Sequence, residues 1–173
     1  MRLARTLLLI LLPLWPATAP AAEPARAGAP GWLAWDQGMA EASATKRPIL
    51  VDVYTDWCGW CKRMDRDVYA REDVRGYLKR YFIAVRLNAE SPDEVRWGDR
   101  TLTSRALAQQ LRVSGYPTTI FLRSNGEHVA NVPGYIPADR FKLMLQYIGE
   151  DHIGRGESWQ DFEKSAAAGP IRP

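Results

Sequence analysis

The sequence predicts an α/β fold in which a central mixed sheet is flanked by helices. Three observations carry that expectation. Residues 49–54 (ILVDVY) form a near-continuous apolar run rich in β-branched residues, the pattern of a strand covered on both faces. A helical stretch and a second apolar run, Tyr81 to Leu87, follow it, as in a strand-helix-strand unit. Further on, Asn125-Gly126 joins two short runs, the strongest local signal for a hairpin, and a helical pattern comes after it.

Length and composition frame the rest. The chain has 173 residues, 46% hydrophobic and 25% charged, which suits one globular domain with a real core. Seven Trp point to aromatic packing or exposed aromatic contacts. Residues 1–21 read as a secretory leader: Arg2 and Arg5, then the apolar run Leu7 to Leu14, then Ala19-Pro20-Ala21 as a small-x-small cleavage site. As a membrane span the run is too short, since spanning takes ~20 apolar residues, and Pro13 interrupts it. Loss of the leader leaves 21 basic residues against 20 acidic, so charge gives no reason to expect nucleic acid or a membrane surface as partner. Residues 22–31 are rich in Ala, Pro and Gly and are expected to be a flexible lead-in to a domain spanning 32–150, with 151–173 as a tail.

The elements follow in order. Trp32 to Lys46 is expected to be a short helix, capped by Asp36 and ended before Pro48. Ile49 to Tyr54 is the first strand. After the loop Thr55-Asp56-Trp57, a helix is expected from Cys58 to about Tyr69, and another from Arg71 to Arg80 with Val74 and Leu78 at i,i+4 spacing. Asn88 to Thr103 is polar, contains Pro92 and Gly98, and is expected to be an irregular insertion. Ser104 to Leu111 reads as a short helix, Thr118 to Arg123 as a strand, and His128 to Val132 as its hairpin partner. Pro137 to Ile148 reads as the last main helix, with Phe141, Leu145 and Ile148 on one face and Gly149 as its stop. A short helix is also expected at Ser158–Ala167.

Cys58 and Cys61 are the only cysteines. An exported chain of this size needs no staple, and a disulfide-built fold would carry more cysteines. A zinc site would need four ligands, and the sequence offers only His128 and His152 besides, far along the chain. Closing so short a loop removes little chain entropy. The remaining chemistry is dithiol-disulfide exchange. With Cys58 at a helix start, its thiolate faces unpaired N–H groups and the positive end of the helix dipole, which lowers its pKa. Cys58 is then the attacking sulfur. Cys61, one turn in, is expected to be less exposed and to resolve the mixed disulfide. No metal and no other cofactor are expected.

The stretch Ile49 to Lys62, with Trp57-Cys58-Gly59-Trp60-Cys61 at its centre, resembles the active-site segment of thioredoxins. Val113-Ser114-Gly115-Tyr116-Pro117-Thr118-Thr119 resembles their second signature, a loop with a cis proline. The resemblance covers about residues 33–150 and implies the thioredoxin fold. Within that fold, the leader, the Cys-Gly-Trp-Cys pair and the insertion after Asn88 are most similar to periplasmic thioredoxin-related proteins, the SoxW-type reductases and the C-terminal domain of DsbD among them. Trp60 departs from the Pro typical of cytoplasmic thioredoxins, so their potential does not carry over.

The resemblance implies roles for further residues. Asp52 lies inside the apolar run, where a buried unpaired carboxylate is costly and tends to take up a proton; by resemblance it would be the acid beneath the sulfurs that shuttles the proton of Cys61 through water, against a plain structural acid. Arg86 falls where the family often has a Lys paired with that acid; a permanently charged guanidinium there is expected to hold Asp52 ionised. The backbone beside Tyr116 and Pro117 would accept an extended substrate as an added strand. Gly59 and Trp60 would face substrate. Trp57 would either pack below the site or face substrate too.

The implied activity is reduction of protein disulfides by a monomer in the periplasm, re-reduced by a membrane electron carrier of the DsbD or CcdA type. Three other functions compete: a thiol oxidase of DsbA-like direction, a non-catalytic binding module, and a metallochaperone. The first lacks Pro-His between the cysteines and the last lacks a His or Met beside them.

Overall fold

A computed structural model describes residues 30–169. The expected leader, and the lead-in up to residue 29, lie outside the described residues. Thirteen elements follow one another. They are α1 (Trp35–Thr45), β1 (Ile49–Tyr54), α2 (Gly59–Met64), a π-helical turn (Asp65–Tyr69), α3 (Glu72–Tyr81), β2 (Ile83–Asn88) and β3 (Glu94–Trp97). Then come β4 (Arg100–Thr103), α4 (Ser104–Gln110), β5 (Thr118–Leu122), β6 (His128–Pro133), α5 (Ala138–Gly149) and α6 (Trp159–Ala167).

The main sheet has the order β2-β1-β5-β6. β1 runs parallel to β2 and antiparallel to β5, and β5 pairs antiparallel with β6. β1 is therefore central, which explains its unbroken apolar run. Alternate β1 residues serve two cores. Ile49, Val51 and Val53 pack with Trp35, Val85, Leu107 and Leu111, under α1 and α4. Leu50 points the other way, to Met64, Val68, Leu78, Phe121, Phe141 and Leu145, under α2, α3 and α5. Asp52 shares the face of Leu50, so it enters the side that carries the cysteine helix.

Gly38 sets the distance between α1 and the sheet. A Cβ built there would meet Val85 Cγ2 at 2.1 Å, so a larger residue cannot be accommodated without moving the helix.

Several sequence expectations are corrected. Residues 88–103 are no irregular insertion: they hold the β3–β4 hairpin, paired from Glu94↔Thr103 to Trp97↔Arg100. A two-stranded hairpin is marginal alone; this one is docked on α1. Trp35 Nε1 donates to the Arg96 carbonyl at 2.9 Å, Trp97 packs on Trp35, and Val95 is buried. Gly98-Asp99 between the strands is a turn signal that marks it. Asp36 does not cap α1, whose N-cap is Ala34 without a side-chain bond; its carboxylate instead accepts the Arg96 N–H at 2.8 Å. The helix from Cys58 is not uniform to Tyr69, since its last five residues form the π-turn, closed by Ala70 N–H donating to Asp65 O at 3.0 Å. The short helix expected at Ser158–Ala167 is present as α6, capped by Ser158, with Phe162 buried against Tyr147.

Candidate active site

β1 delivers the chain to the end of the sheet at Tyr54, and the turn Thr55-Asp56-Trp57 leads into α2. Cys58 is the N-cap of α2 with extended backbone, and its Sγ accepts the Cys61 N–H at 3.0 Å. The cap position normally goes to Ser, Thr, Asp or Asn, whose oxygen takes an orphan N–H of the first turn. Here sulfur fills that role. Cys58 and Cys61 are joined as a disulfide with a Cα–Cα distance of 5.3 Å. In this oxidised state the two are equally buried, 3% exposed each, so the expected difference in exposure is absent.

The two tryptophans are the large hydrophobic side chains exposed around the pair, Trp57 at 66% and Trp60 at 53%. Trp57 therefore does not pack below the site. Its Nε1 donates to Glu90 Oε2 at 2.9 Å, and its ring meets the edge of Tyr116 with 6.0 Å between centroids. Trp60 leans on Tyr135, 5.6 Å away. Gly59, between Trp57 and Trp60 beyond Cys58, has open space where a Cβ would lie.

The loop before β5 supplies the facing wall. The Tyr116–Pro117 peptide bond is cis. The Pro117 carbonyl accepts the Gly134 N–H at 2.7 Å, tying the loop to the end of β6. The backbone N–H and C=O of Tyr116 take no hydrogen bond among the described residues.

Beneath lies a polar cluster in an apolar setting. Asp52 is 1% exposed. Its Oδ2 accepts from Arg86 Nε at 3.1 Å and its Oδ1 from the Tyr69 hydroxyl at 3.2 Å. Arg86 stands opposite Asp52 in the β1–β2 register and also donates from Nη2 to Asp65 Oδ1 at 2.6 Å. The rings of Tyr54 and Trp32 flank the guanidinium, at 4.6 and 5.2 Å. One cation thus bridges two carboxylates.

The expectation that Arg86 keeps Asp52 firmly ionised is corrected. Burial dominates and lifts the Asp52 carboxyl to about 6, although Arg86 pulls the other way; the second carboxylate, Asp65, adds to the rise. Burial, and then the charge of Asp52, push the Tyr69 phenol well above its usual value, so it stays a hydrogen-bond donor. Arg86 remains charged, because Asp52 and Asp65 outweigh its own desolvation.

The sequence reading missed Asp65, Tyr69, Tyr135 and Arg63 around this site. For the first two a signal exists: Cys61, Asp65 and Tyr69 recur every four residues, on one face of the helical segment. The π-turn brings its first and last residues together on Asp52 and Arg86.

Fold and site define a thioredoxin-like domain of the oxidoreductase type, with a Cys-x-x-Cys pair at a strand-to-helix junction. The chain belongs to the family of thioredoxin-like domains, which it matches over residues 35–149. Among curated proteins it is similar to the thiol:disulfide interchange protein DsbD of Klebsiella pneumoniae, 30% identical over 114 residues, which is 64% of this chain and 17% of that protein. DsbD of Ralstonia nicotianae is likewise 30% identical over 113 residues, 64% of this chain and again 17% of the relative. The match thus spans about a sixth of the length of these relatives. Among solved structures it is similar to a thioredoxin-fold protein from Helicobacter pylori, with a TM-score of 0.62 and 24% identity over 72% of this chain and 82% of the other. A disulphide-isomerase-like protein from Bacteroides thetaiotaomicron gives a TM-score of 0.57 and 25% identity over 73% of this chain and 98% of the other. Among the described residues no helix is long and apolar enough to cross a membrane.

Proposed function

We propose that the chain is an exported thiol-disulfide oxidoreductase that reduces protein disulfides in the periplasm. One observation carries the reading: Cys58 Sγ sits at the N-cap of α2 and accepts the Cys61 N–H. In the reduced protein that N–H and the helix dipole stabilise a thiolate on Cys58. The thiolate attacks one sulfur of a substrate disulfide and expels the other as a thiol. Cys61 gives up its proton and attacks Cys58, releasing the second substrate thiol. Two electrons and two protons pass to the substrate, and the Cys58–Cys61 disulfide is left.

Asp52 is the acceptor proposed for the Cys61 proton, by way of water. A carboxyl held at about 6 takes and returns a proton near neutral pH more readily than a surface aspartate. The free N–H and C=O of Tyr116 support docking of an extended substrate strand beside Pro117. Gly59 leaves room for that strand, and Trp57 and Trp60 border it. A membrane electron carrier of the DsbD or CcdA type is the donor proposed for re-reduction of the pair. The leader at 1–21 supports export.

The test uses protein lacking residues 1–21, pre-reduced, freed of reductant and mixed with a small protein containing an accessible disulfide. Each chain is expected to lose two thiols while the substrate gains two. Chains that keep both thiols over hours would overturn the reading.

A further inference from the structure

Arg63, Trp60 and Tyr135 form a unit beside the disulfide that the exchange chemistry leaves unused. The Arg63 guanidinium carbon lies 5.1 Å from the Trp60 ring centroid and 5.2 Å from that of Tyr135. The two rings are inclined at 46°, so the guanidinium sits in the wedge between them. Its Nε donates to Asp67 at 3.2 Å. These contacts flank the group and engage only one of its nitrogens. Its two terminal nitrogens have no hydrogen-bond partner among the described residues, and the side chain is 50% exposed.

Location and charge give the wedge a purpose. Tyr135 follows Gly134, whose N–H holds the Pro117 carbonyl. Trp60 stands between the two cysteines. The wedge therefore borders the path of a substrate strand laid along Tyr116. Lys62 and Arg66 are exposed next to Arg63, and Asp67 is the carboxylate that both arginines share. The segment from Lys62 to Asp67, across the end of α2 and the start of the π-turn, thus exposes three cations against that one carboxylate. Across the disulfide, Trp57 is bound instead to an acid, Glu90. A guanidinium with both terminal nitrogens free and two rings beside it matches a carboxylate in geometry as well as charge.

We propose that Arg63, braced by Trp60 and Tyr135, is a docking site for an acidic side chain, Asp or Glu, close to the reactive cysteine of the substrate. The inference rests on the exchange reading above. It adds a selectivity: substrates with an acidic flank are preferred over neutral or basic ones. Pre-organised charge contacts of this kind act mainly on encounter and register.

The experiment measures kcat/KM of the protein lacking residues 1–21, with dithiothreitol as terminal reductant. The substrates are three fluorescent disulfide peptides alike except for Glu, Gln or Lys at the positions flanking one cysteine. The Glu peptide is expected to exceed the Gln peptide by about threefold or more, the scale of one partly exposed charge contact. The Lys peptide should fall below both. The Glu-to-Gln ratio should shrink as salt rises from 20 to about 300 mM. It should fall most of the way toward one in Arg63→Gln, where Lys62 and Arg66 remain, and stay between in Arg63→Lys, which keeps the charge and loses the fork. Equal rates for all three peptides, or a ratio that survives Arg63→Gln, would overturn the docking site while exchange stands. No acceleration of any peptide's reduction over the dithiothreitol-only background would remove the exchange reading and this inference together.

Discussion

Cys61→Ser is expected to stop turnover after one chemical step and to accumulate a stable mixed disulfide between Cys58 and the substrate. Cys58→Ser is expected to form no adduct and to lose at least about a thousandfold in rate. The asymmetry follows from the cap geometry. Cys58 Sγ faces the helix N-terminus and receives the Cys61 N–H, so its thiolate is the stabilised one. Cys61 lies inside the first turn, three residues on, with 5.3 Å between the two Cα atoms. An intramolecular thiol so placed resolves the adduct with a high effective molarity. Its loss leaves resolution to thiols in solution. Neither substitution should prevent folding, because a loop closed over three residues is worth only about 2 kcal/mol by chain entropy. Non-reducing mass spectrometry after mixing with a disulfide peptide reads both outcomes. Adducts on the Cys61 sulfur of Cys58→Ser, at a rate matching the other variant, would reverse the assigned roles.

Asp52→Asn is expected to do two things of opposite sign. At pH 8 it should stabilise the oxidised protein and raise its Tm. The linkage runs from the raised carboxyl, at about 6 in the fold against a usual 3.8. Between those values the unfolded chain has already released its proton while the folded one keeps it. Stability therefore falls as pH rises from about 4 to 6 and stays lower above. Asn carries no charge to bury, so the fall should vanish in the variant, and the two proteins should converge below about pH 4. Arg86 keeps Asp65 as a partner, which limits what the substitution costs. In exchange the same variant should resolve mixed disulfides about 10–100-fold more slowly near pH 7, the range of a lost general base. Thermal melts across pH 3–9 and single-turnover kinetics check the two halves separately. Higher stability with unchanged resolution would leave Asp52 a structural acid.

Much of this site was legible because its signals are local. A Cys-x-x-Cys after a β-branched run marks a strand-to-helix junction, and an Asp inside that run stands out against its neighbours. Tyr116-Pro117 ahead of the run Thr118 to Leu122 stands out in the same way. What stayed hidden depends on contacts remote in sequence. The hairpin of β3 and β4 is polar outside and exists by docking on Trp35, about sixty residues earlier. The π-turn changes which side chains meet Asp52, and hydrophobic periodicity does not show a one-residue widening. At Asp52 both the burial inside an apolar run and the ion pair with Arg86 are legible in the sequence, but which of the two outweighs the other depends on packing and on the second carboxylate, Asp65, brought in by the fold. For Trp57 the sequence allows both packing and exposure, and its hydrogen bond to Glu90 holds it on the surface.

The reduction potential of the Cys58–Cys61 couple tests the central claim most directly. It is measured by equilibrating protein lacking residues 1–21 against glutathione or dithiothreitol buffers. A reversible two-electron couple below about −200 mV is the predicted result, placing the pair with disulfide reductants. A reversible couple near −120 mV would contradict the direction of electron flow, and no reversible couple at all would contradict exchange at this site.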